Sequence, residues 1–305
     1  MAIPSPVAAI RQPSAFGSII GSLLRDRFAT VSAIFLLLVL VCAIVAPTLF
    51  ADQARALNLR ARNAPPFSLD NGWMFFLGAD ALGRSLLARI MVASQNTLMI
   101  AASAVCLSIV IGGALGLLAG YKGGWIGASL LRLADAIMSF PSMLLAVIVL
   151  FVFTPGVSSV IVVLAIAGIP IFLRTVRAEV LEVKERLFVT AARATGANTP
   201  RVLLRHIAPM VLPTVINLAA LEMANVMLVE SGLSFLGIGI QPPDVTWGLM
   251  VADGRNYLGS AWWLSFWPGL AIMLVTMALN LLSNWLRIAT DPAERWRLQT
   301  SADTK

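Results

Sequence analysis

The sequence predicts an all-α integral membrane protein with six transmembrane helices and one helix–turn–helix outside the membrane. The 305-residue chain is 59% hydrophobic and 12% charged, and its mean hydropathy is +0.87. This composition is far more apolar than that of an ordinary soluble domain. Six apolar runs approach the roughly 20 residues that a helix needs to cross a hydrocarbon core of about 30 Å. The alternating pattern of membrane-barrel strands does not occur.

The six apolar runs set the expected order of membrane helices within a membrane domain of residues 28–286. They lie at residues 28–50, 94–119, 129–153, 157–173, 209–231 and 263–286. The first is too long for the apolar core of a signal peptide, so we expect a retained membrane helix. The fourth is short and holds Gly168 and Pro170, which membrane helices tolerate when neighbours satisfy the freed backbone groups.

Basic residues predict the orientation, because cytoplasmic loops are enriched in Lys and Arg. The bias favours cytoplasmic tails at 1–27 and 287–305 and a cytoplasmic loop at about 174–208. The outer loops then lie at about 51–92 and 232–262, and the first of them is an exception to the bias because it holds five arginines. We interpret the net charge of +7 as membrane topology, since no aromatic-interleaved basic face indicates nucleic-acid binding.

Cysteine and histidine predict neither a disulfide framework nor a metal site. Cys42 and Cys106 fall inside apolar runs, where a thiol behaves as a small hydrophobe. The single histidine, His206, provides no cluster of metal ligands.

The segment between the fourth and fifth runs predicts two short helices joined by a tight turn. Over residues 178–195 apolar side chains recur at steps of three and four, which indicates one face of a helix. Gly196 is a natural left-handed stop. Thr199 and Pro200 then predict an N-cap and a first-turn proline, opening a second helix through His206. The pattern fits an amphipathic helix lying on the bilayer and equally a docking element for a soluble partner.

The same segment, "TAARATGANTPRVLLRHIAP" at residues 190–209, resembles the coupling loop of ABC importer permeases. The family shows a Glu-Ala-Ala motif, a glycine four residues after the second alanine and a closing proline. The matching positions are Ala191, Ala192, Gly196 and Pro209. Thr190 stands where the glutamate is expected, a departure that resembles the dipeptide and oligopeptide branch of the family.

Three further stretches resemble signatures of that branch, in the family's order. They are "FLGADALGRSLLAR" (76–89), "ESGLSFLGIGIQPPDVTWGLM" (230–250) and "NLLSNWLRIATDP" (280–292). Ala79 and Ser85 depart from the first signature, and Ser283 with Asn284 replaces the usual Gly-Asp of the last. Together they resemble the C-type permease subunit of dipeptide, oligopeptide and nickel importers.

The resemblance implies a type I ABC importer permease in a bacterial cytoplasmic (inner) membrane. Such a subunit pairs with a second, different six-helix permease and two ATPase subunits, and an extracytoplasmic binding protein delivers peptides or related small solutes. The residues implied to contact an ATPase are Thr190, Ala191, Ala192, Arg193, Gly196 and Pro209. The chain has no phosphate-binding loop of the G-x-x-x-x-G-K-[ST] type, so we expect no enzyme activity or cofactor here, with ATP and Mg²⁺ bound by the partner subunits. Dipeptides, longer peptides, nickel chelates and opines all stay open as substrates.

Three acidic residues fall within or at the ends of apolar runs, namely Asp135, Glu222 and Glu230. Ionisable groups are costly there and usually face a pathway or pair within the bundle. Arg132 precedes Asp135 by one helical turn and is its expected partner on the second interpretation. We expect Glu230 to brace the end of the fifth helix.

The second outer loop is expected to meet the binding protein through Asp244 and Trp247, although a tryptophan there is as often an interfacial anchor.

Two other functions were weighed. A secondary carrier or channel-like protein without an ATPase partner would be expected to show related halves, and the first and last three runs share no convincing repeat. An intramembrane serine protease using Ser234 would need a histidine at the same depth, whereas His206 falls on the other predicted face.

Overall fold

The computed structural model describes residues 21–68, 72–152 and 156–290, and its regular structure is helical throughout. The helices of two or more turns are α1 (Arg27–Arg55), α2 (Leu86–Lys122), α3 (Gly124–Met138), α4 (Ser142–Val152), α5 (Val157–Val183), α6 (Leu187–Ala194), α7 (Thr199–Phe235), α8 (Trp247–Gly254) and α9 (Trp263–Thr290). Short 3₁₀ turns occupy Leu59–Ala61, Trp73–Phe75 and Arg255–Tyr257.

Five of the described helices, α1, α2, α5, α7 and α9, are long and apolar enough to span a membrane. The third expected span, 129–153, is not one straight helix. It forms α3 and α4, which meet at 84°, so the count is five spans or six with this bent pair. The chain breaks at Ser139–Pro141 because Pro141 lacks an amide proton and disfavours helical geometry at Phe140.

Several helices extend beyond the apolar runs that predicted them. The fourth span continues past residue 173 to Val183. The first loop shrinks from 51–92 to 56–85, because α1 ends at Arg55 and the Ser85 hydroxyl caps α2 by accepting from the Ala88 amide at 3.2 Å. Most of the predicted tails, 1–20 and 291–305, lies outside the described residues.

The core of the bundle is the close contact between α2 and α5. Gly112, Gly116 and Gly120 follow one another at four-residue steps along α2. A Cβ at Gly116 would lie 2.8 Å from the carbonyl oxygen of Leu173, and one at Gly120 would lie 3.0 Å from that of Arg177. Small residues let helix backbones approach closely. The contacted residue of α5 moves from Leu173 to Arg177 as the glycine of α2 moves from Gly116 to Gly120, so the two helices run parallel.

The helix directions give the bundle two ends. The Asp80 end holds the C-termini of α1 and α7, the N-termini of α2 and α9, and the loops 56–85 and 236–262. The Gly196 end holds the C-termini of α2 and α5 and the residues between α5 and α7.

The surface of α1 is inverted relative to a soluble helix. Its buried residues are the small Ala29, Ser32, Ala43, Ala46 and Ala54. Large apolar side chains such as Phe28, Leu38 and Ile44 are more than half exposed. An apolar exterior over small interior contacts is the arrangement expected of a helix that faces lipid.

Candidate functional sites

The Gly196 end carries an exposed loop, residues 184–209, that the sequence predicted in outline. The single helix expected over 178–195 is wrong, because the chain breaks at Lys184–Arg186 between α5 and α6. The expected second short helix ending at His206 is also wrong. It continues through a π-helical segment, Val202–Ile207, into the long apolar part of α7.

A complete capping motif fixes the turn of this loop. Gly196 has φ +85°, as predicted, and its amide donates to Arg193 O while the Ala197 amide donates to Ala192 O, both at 3.0 Å. This pair of bonds is the Schellman motif that satisfies the last carbonyls of a helix. The N-cap of α7 is Asn198, one residue before the predicted Thr199, because the Asn198 side chain accepts from the Arg201 amide at 3.1 Å.

The 184–209 loop is anchored on the bundle. Three of its own apolar side chains, Val189, Val202 and Ile207, are fully buried. The Arg193 guanidinium lies over the Tyr121 ring at 5.0 Å, and Lys184 Nζ donates to the carbonyl of Gly120 at 3.3 Å. Both contacts tie the loop to the end of α2.

Large apolar side chains of the loop are exposed among its polar and basic ones. Leu187 is 88% exposed and Leu204 69%. The predicted coupling residues Thr190, Ala191, Arg193, Gly196 and Pro209 are exposed, and Ala192 is half-buried. Exposed apolar groups on a rigid element are typical of an interaction surface.

The structure separates the three predicted acids. Asp135 of α3 is exposed and pairs with Arg174 of α5. Its expected pairing with Arg132 is therefore wrong, because α5 packs across α3 and brings Arg174 to Asp135. Glu222 lines a cavity between α4, α5 and α7.

Glu230 is 1% exposed and joins α7 to α8. Its Oε1 accepts from the hydroxyls of Ser234 and Thr246, each at 2.8 Å. Thr246 also caps α8 by accepting from the Leu249 amide at 3.2 Å. The geometry is that of a brace between two helices.

The two predicted docking residues at the Asp80 end differ in exposure. Asp244 is exposed beside the cis Pro242-Pro243 bond. Trp247 is 3% exposed, and its Nε1 donates to the carbonyl of Ile90 at 2.9 Å. Its side chain therefore holds α8 against α2, beneath the surface on which Asp244 lies.

An ion-pair network at this end was missed by the sequence analysis. Asp80 Oδ2 pairs with Arg89 at 2.6 Å and with Arg84 at 2.7 Å, and Asp80 Oδ1 accepts from the amides of Leu82 and Arg84. Arg89 also reaches Asp253 at 3.5 Å. The signal available in the sequence was the position of Arg89 in the first turn of an apolar helix. Arg89 is 6% exposed, and a buried arginine needs a partner.

These features define a multi-pass membrane protein with an exposed loop, anchored on the bundle, at one end. The chain matches the family of binding-protein-dependent transport system inner membrane components over residues 112–296. It also matches the N-terminal transmembrane domain of oligopeptide transport permease C over residues 14–66. The chain belongs to this family of ABC importer permeases, in its peptide-transport branch.

Individual relatives support the same placement. The di/tripeptide transport system permease protein DppC of Pseudomonas aeruginosa is 35% identical, covering 95% of this chain and 96% of its own. The probable D,D-dipeptide transport system permease protein DdpC of Escherichia coli is 33% identical over 86% of each. The MetNI methionine ABC transporter in an inward-facing conformation is 18% identical with a TM-score of 0.55, covering 67% of this chain and 97% of that one. This last likeness shows the type I importer permease fold.

Proposed function

We propose that this chain is a permease subunit of an ATP-driven importer of peptides or related small solutes, delivered by an extracytoplasmic binding protein. The observation that carries the proposal is the 184–209 loop, which is anchored on the bundle and exposes the apolar side chains Leu187 and Leu204. Leu187 and Leu204 present a surface that a groove in an ATPase subunit would cover. The peptide-transport names of the relatives support the substrate class.

The construction of the loop suits the transmission of force. A push on Gly196 passes directly into the continuous α7, and it reaches α5 through α6 and the short Lys184–Arg186 connection. The Schellman turn and the Arg193–Tyr121 contact oppose local deformation. Closure of an ATPase pair on ATP and Mg²⁺ would therefore move these helices as bodies, opening the pathway to alternate sides.

Charge supports a cytoplasmic location for the Gly196 end and for both termini. The described basic residues there include Lys122, Lys184, Arg186, Arg193, Arg201 and Arg205. The arginines of the first outer loop oppose this orientation, although two of them, Arg84 and Arg89, share one carboxylate, Asp80. The Asp80 end then faces the binding protein, with Asp244 as an exposed contact.

The partners and the turn can be tested together. A tagged chain is purified in mild detergent, and a second permease and ATPase subunits are expected to be recovered with it. Gly196→Val forces a β-branched residue to φ +85° at a cost of about 1–2 kcal/mol, so peptide-stimulated ATP hydrolysis in liposomes should fall about ten-fold.

Gly237→Val is the matched control. Gly237 also has a positive φ, +78°, and its Cβ would meet nothing within 4 Å, as at Gly196, but it lies at the Asp80 end. Activity should be retained there. A chain that purifies alone and moves solute without ATP would contradict the proposed function.

A further inference from the structure

A cavity of about 300 Å³ lies where α3 and α4 meet, opposite α5 and α7. Most of its wall is apolar, including Met138, Phe140 and Ile171. At a helical rise of about 1.5 Å per residue, Glu222 on this wall lies roughly 20 Å along α7 from Phe235 at one end and equally far from Pro209 at the other. The cavity is therefore deep within the membrane domain and not at either end.

Glu222 is the one charged side chain among the described residues that line this cavity. Within the described ranges it forms no ion pair, and its hydrogen bond comes from Asn225 of the same helix at 3.4 Å. The nearest charges along neighbouring helices are Asp135 and Arg174, just beyond lining residues Ile137 and Ile171, and these two pair with each other. Glu222 therefore faces the cavity without a compensating cation.

An uncompensated carboxylate at membrane depth is costly and is retained where a mobile cation or solvated pathway meets it. We infer that the cavity is a station on the transport pathway where Glu222 binds a primary ammonium group of the passing solute, such as a peptide amino terminus or a lysine side chain. This inference rests on the proposed function. The apolar wall of the cavity then accepts solutes with different side chains, while the Glu222 carboxylate binds the ammonium group that these solutes have in common.

Attraction of cations to the cavity can be measured without transport. The experiment uses membranes that contain the assembled complex, with Cys42 and Cys106 of this chain replaced by serine. A single cysteine is then introduced at Ser142, which lines the cavity. The rates of modification by cationic aminoethyl and anionic sulfonatoethyl methanethiosulfonate are compared. Glu222→Gln should lower the cation-to-anion rate ratio at least about five-fold, and Glu222→Asp should preserve most of it.

Asp52→Asn is the control for loss of one negative charge, since Asp52 is exposed near the end of α1 and does not line the cavity. The ratio should be unchanged there. If the ratio of cationic to anionic modification rates is the same in the Glu222 protein and in Glu222→Gln, the inference is overturned.

Uptake tests the same station in the working transporter. With saturating binding protein and ATP, the ratio of maximal uptake of Ala-Lys-Ala to Ala-Glu-Ala should fall about five-fold in Glu222→Gln. An equal loss for both peptides together with an unchanged labelling ratio would assign Glu222 a merely structural role and overturn the inference. An equal loss with a lowered labelling ratio would assign the contact to the amino terminus that both peptides share. If the wild-type complex imports no peptide or related small solute with ATP, the proposed function fails, while the labelling ratio still decides whether the cavity attracts cations.

Discussion

At the scale of single residues, the Asp80 network shows how one buried charge organises a loop. Arg89 is held by Asp80, whose other oxygen fixes two backbone amides of the turn before α2. Asp80→Ala leaves the Arg89 guanidinium buried and without its principal partner. We expect a loss of about 3–5 kcal/mol in the free energy of unfolding, measured by denaturation of the purified complex in detergent.

Glu182→Ala provides the matched comparison. Glu182 pairs with Arg186 at 2.7 Å, a distance close to that of Asp80 with Arg89, but its side chain is 68% exposed. An exposed pair of this kind contributes at most about 1 kcal/mol. Equal destabilisation by the two changes would show that burial does not decide the strength of the Asp80 network.

Among the individual site residues, those whose role depends on local backbone geometry could be predicted from the sequence. Gly196 was predicted as a left-handed stop and has φ +85°, because few residues adopt that conformation without strain. The partners of Asp135 and Arg89 were not predicted. Those pairs join residues from different helices or loops, and local spacing carries no information on which helices pack together.

At the scale of elements, the glycine face of α2 controls its distance from α5. A Cβ at Gly116 would lie 2.8 Å from both the Leu173 carbonyl oxygen and the Val176 Cβ. Gly116→Ala must separate the helices, so we expect destabilisation by about 1–3 kcal/mol in the same denaturation assay. Gly113, whose added Cβ would meet nothing within 4 Å, is the control on the same helix. A Gly113→Ala variant should be as stable as wild type or more so, given its higher helix propensity, and a matching loss there would contradict close packing as the cause.

Helix existence was predicted better than helix ends or bends. Hydrophobicity located all the spanning runs, but it does not distinguish a straight helix from α3 and α4, since both halves are apolar. The break depends on Pro141 and on the packing of α4 against α5 and α7. Likewise, the charged C-terminal turns of α5 extend the helix beyond its apolar run because Val176, Val180 and Val183 remain buried.

At the scale of the whole molecule, the two ends differ in how their charges are arranged. The Gly196 end presents exposed basic side chains around the 184–209 loop. The Asp80 end also exposes Arg55, Arg60, Arg62 and Arg255, but its Arg84 and Arg89 are paired with Asp80. The sequence count of arginines treated these groups as equivalent. The arginines of the first outer loop therefore stay an exception to the basic-residue bias, which the larger basic cluster at the Gly196 end outweighs in the proposed orientation.

That orientation predicts which side of the membrane each end reaches. In a background with Cys42 and Cys106 replaced by serine, a cysteine is placed at Thr195 or at Ser260, both exposed and at opposite ends. A membrane-impermeant maleimide should label Ser260→Cys in intact cells and Thr195→Cys only in inside-out vesicles. Positive residues are retained on the cytoplasmic side during insertion, so the Gly196 end should be the protected one in cells. Labelling of Thr195→Cys from outside would reverse the topology and place the 184–209 loop beyond the reach of a cytoplasmic ATPase.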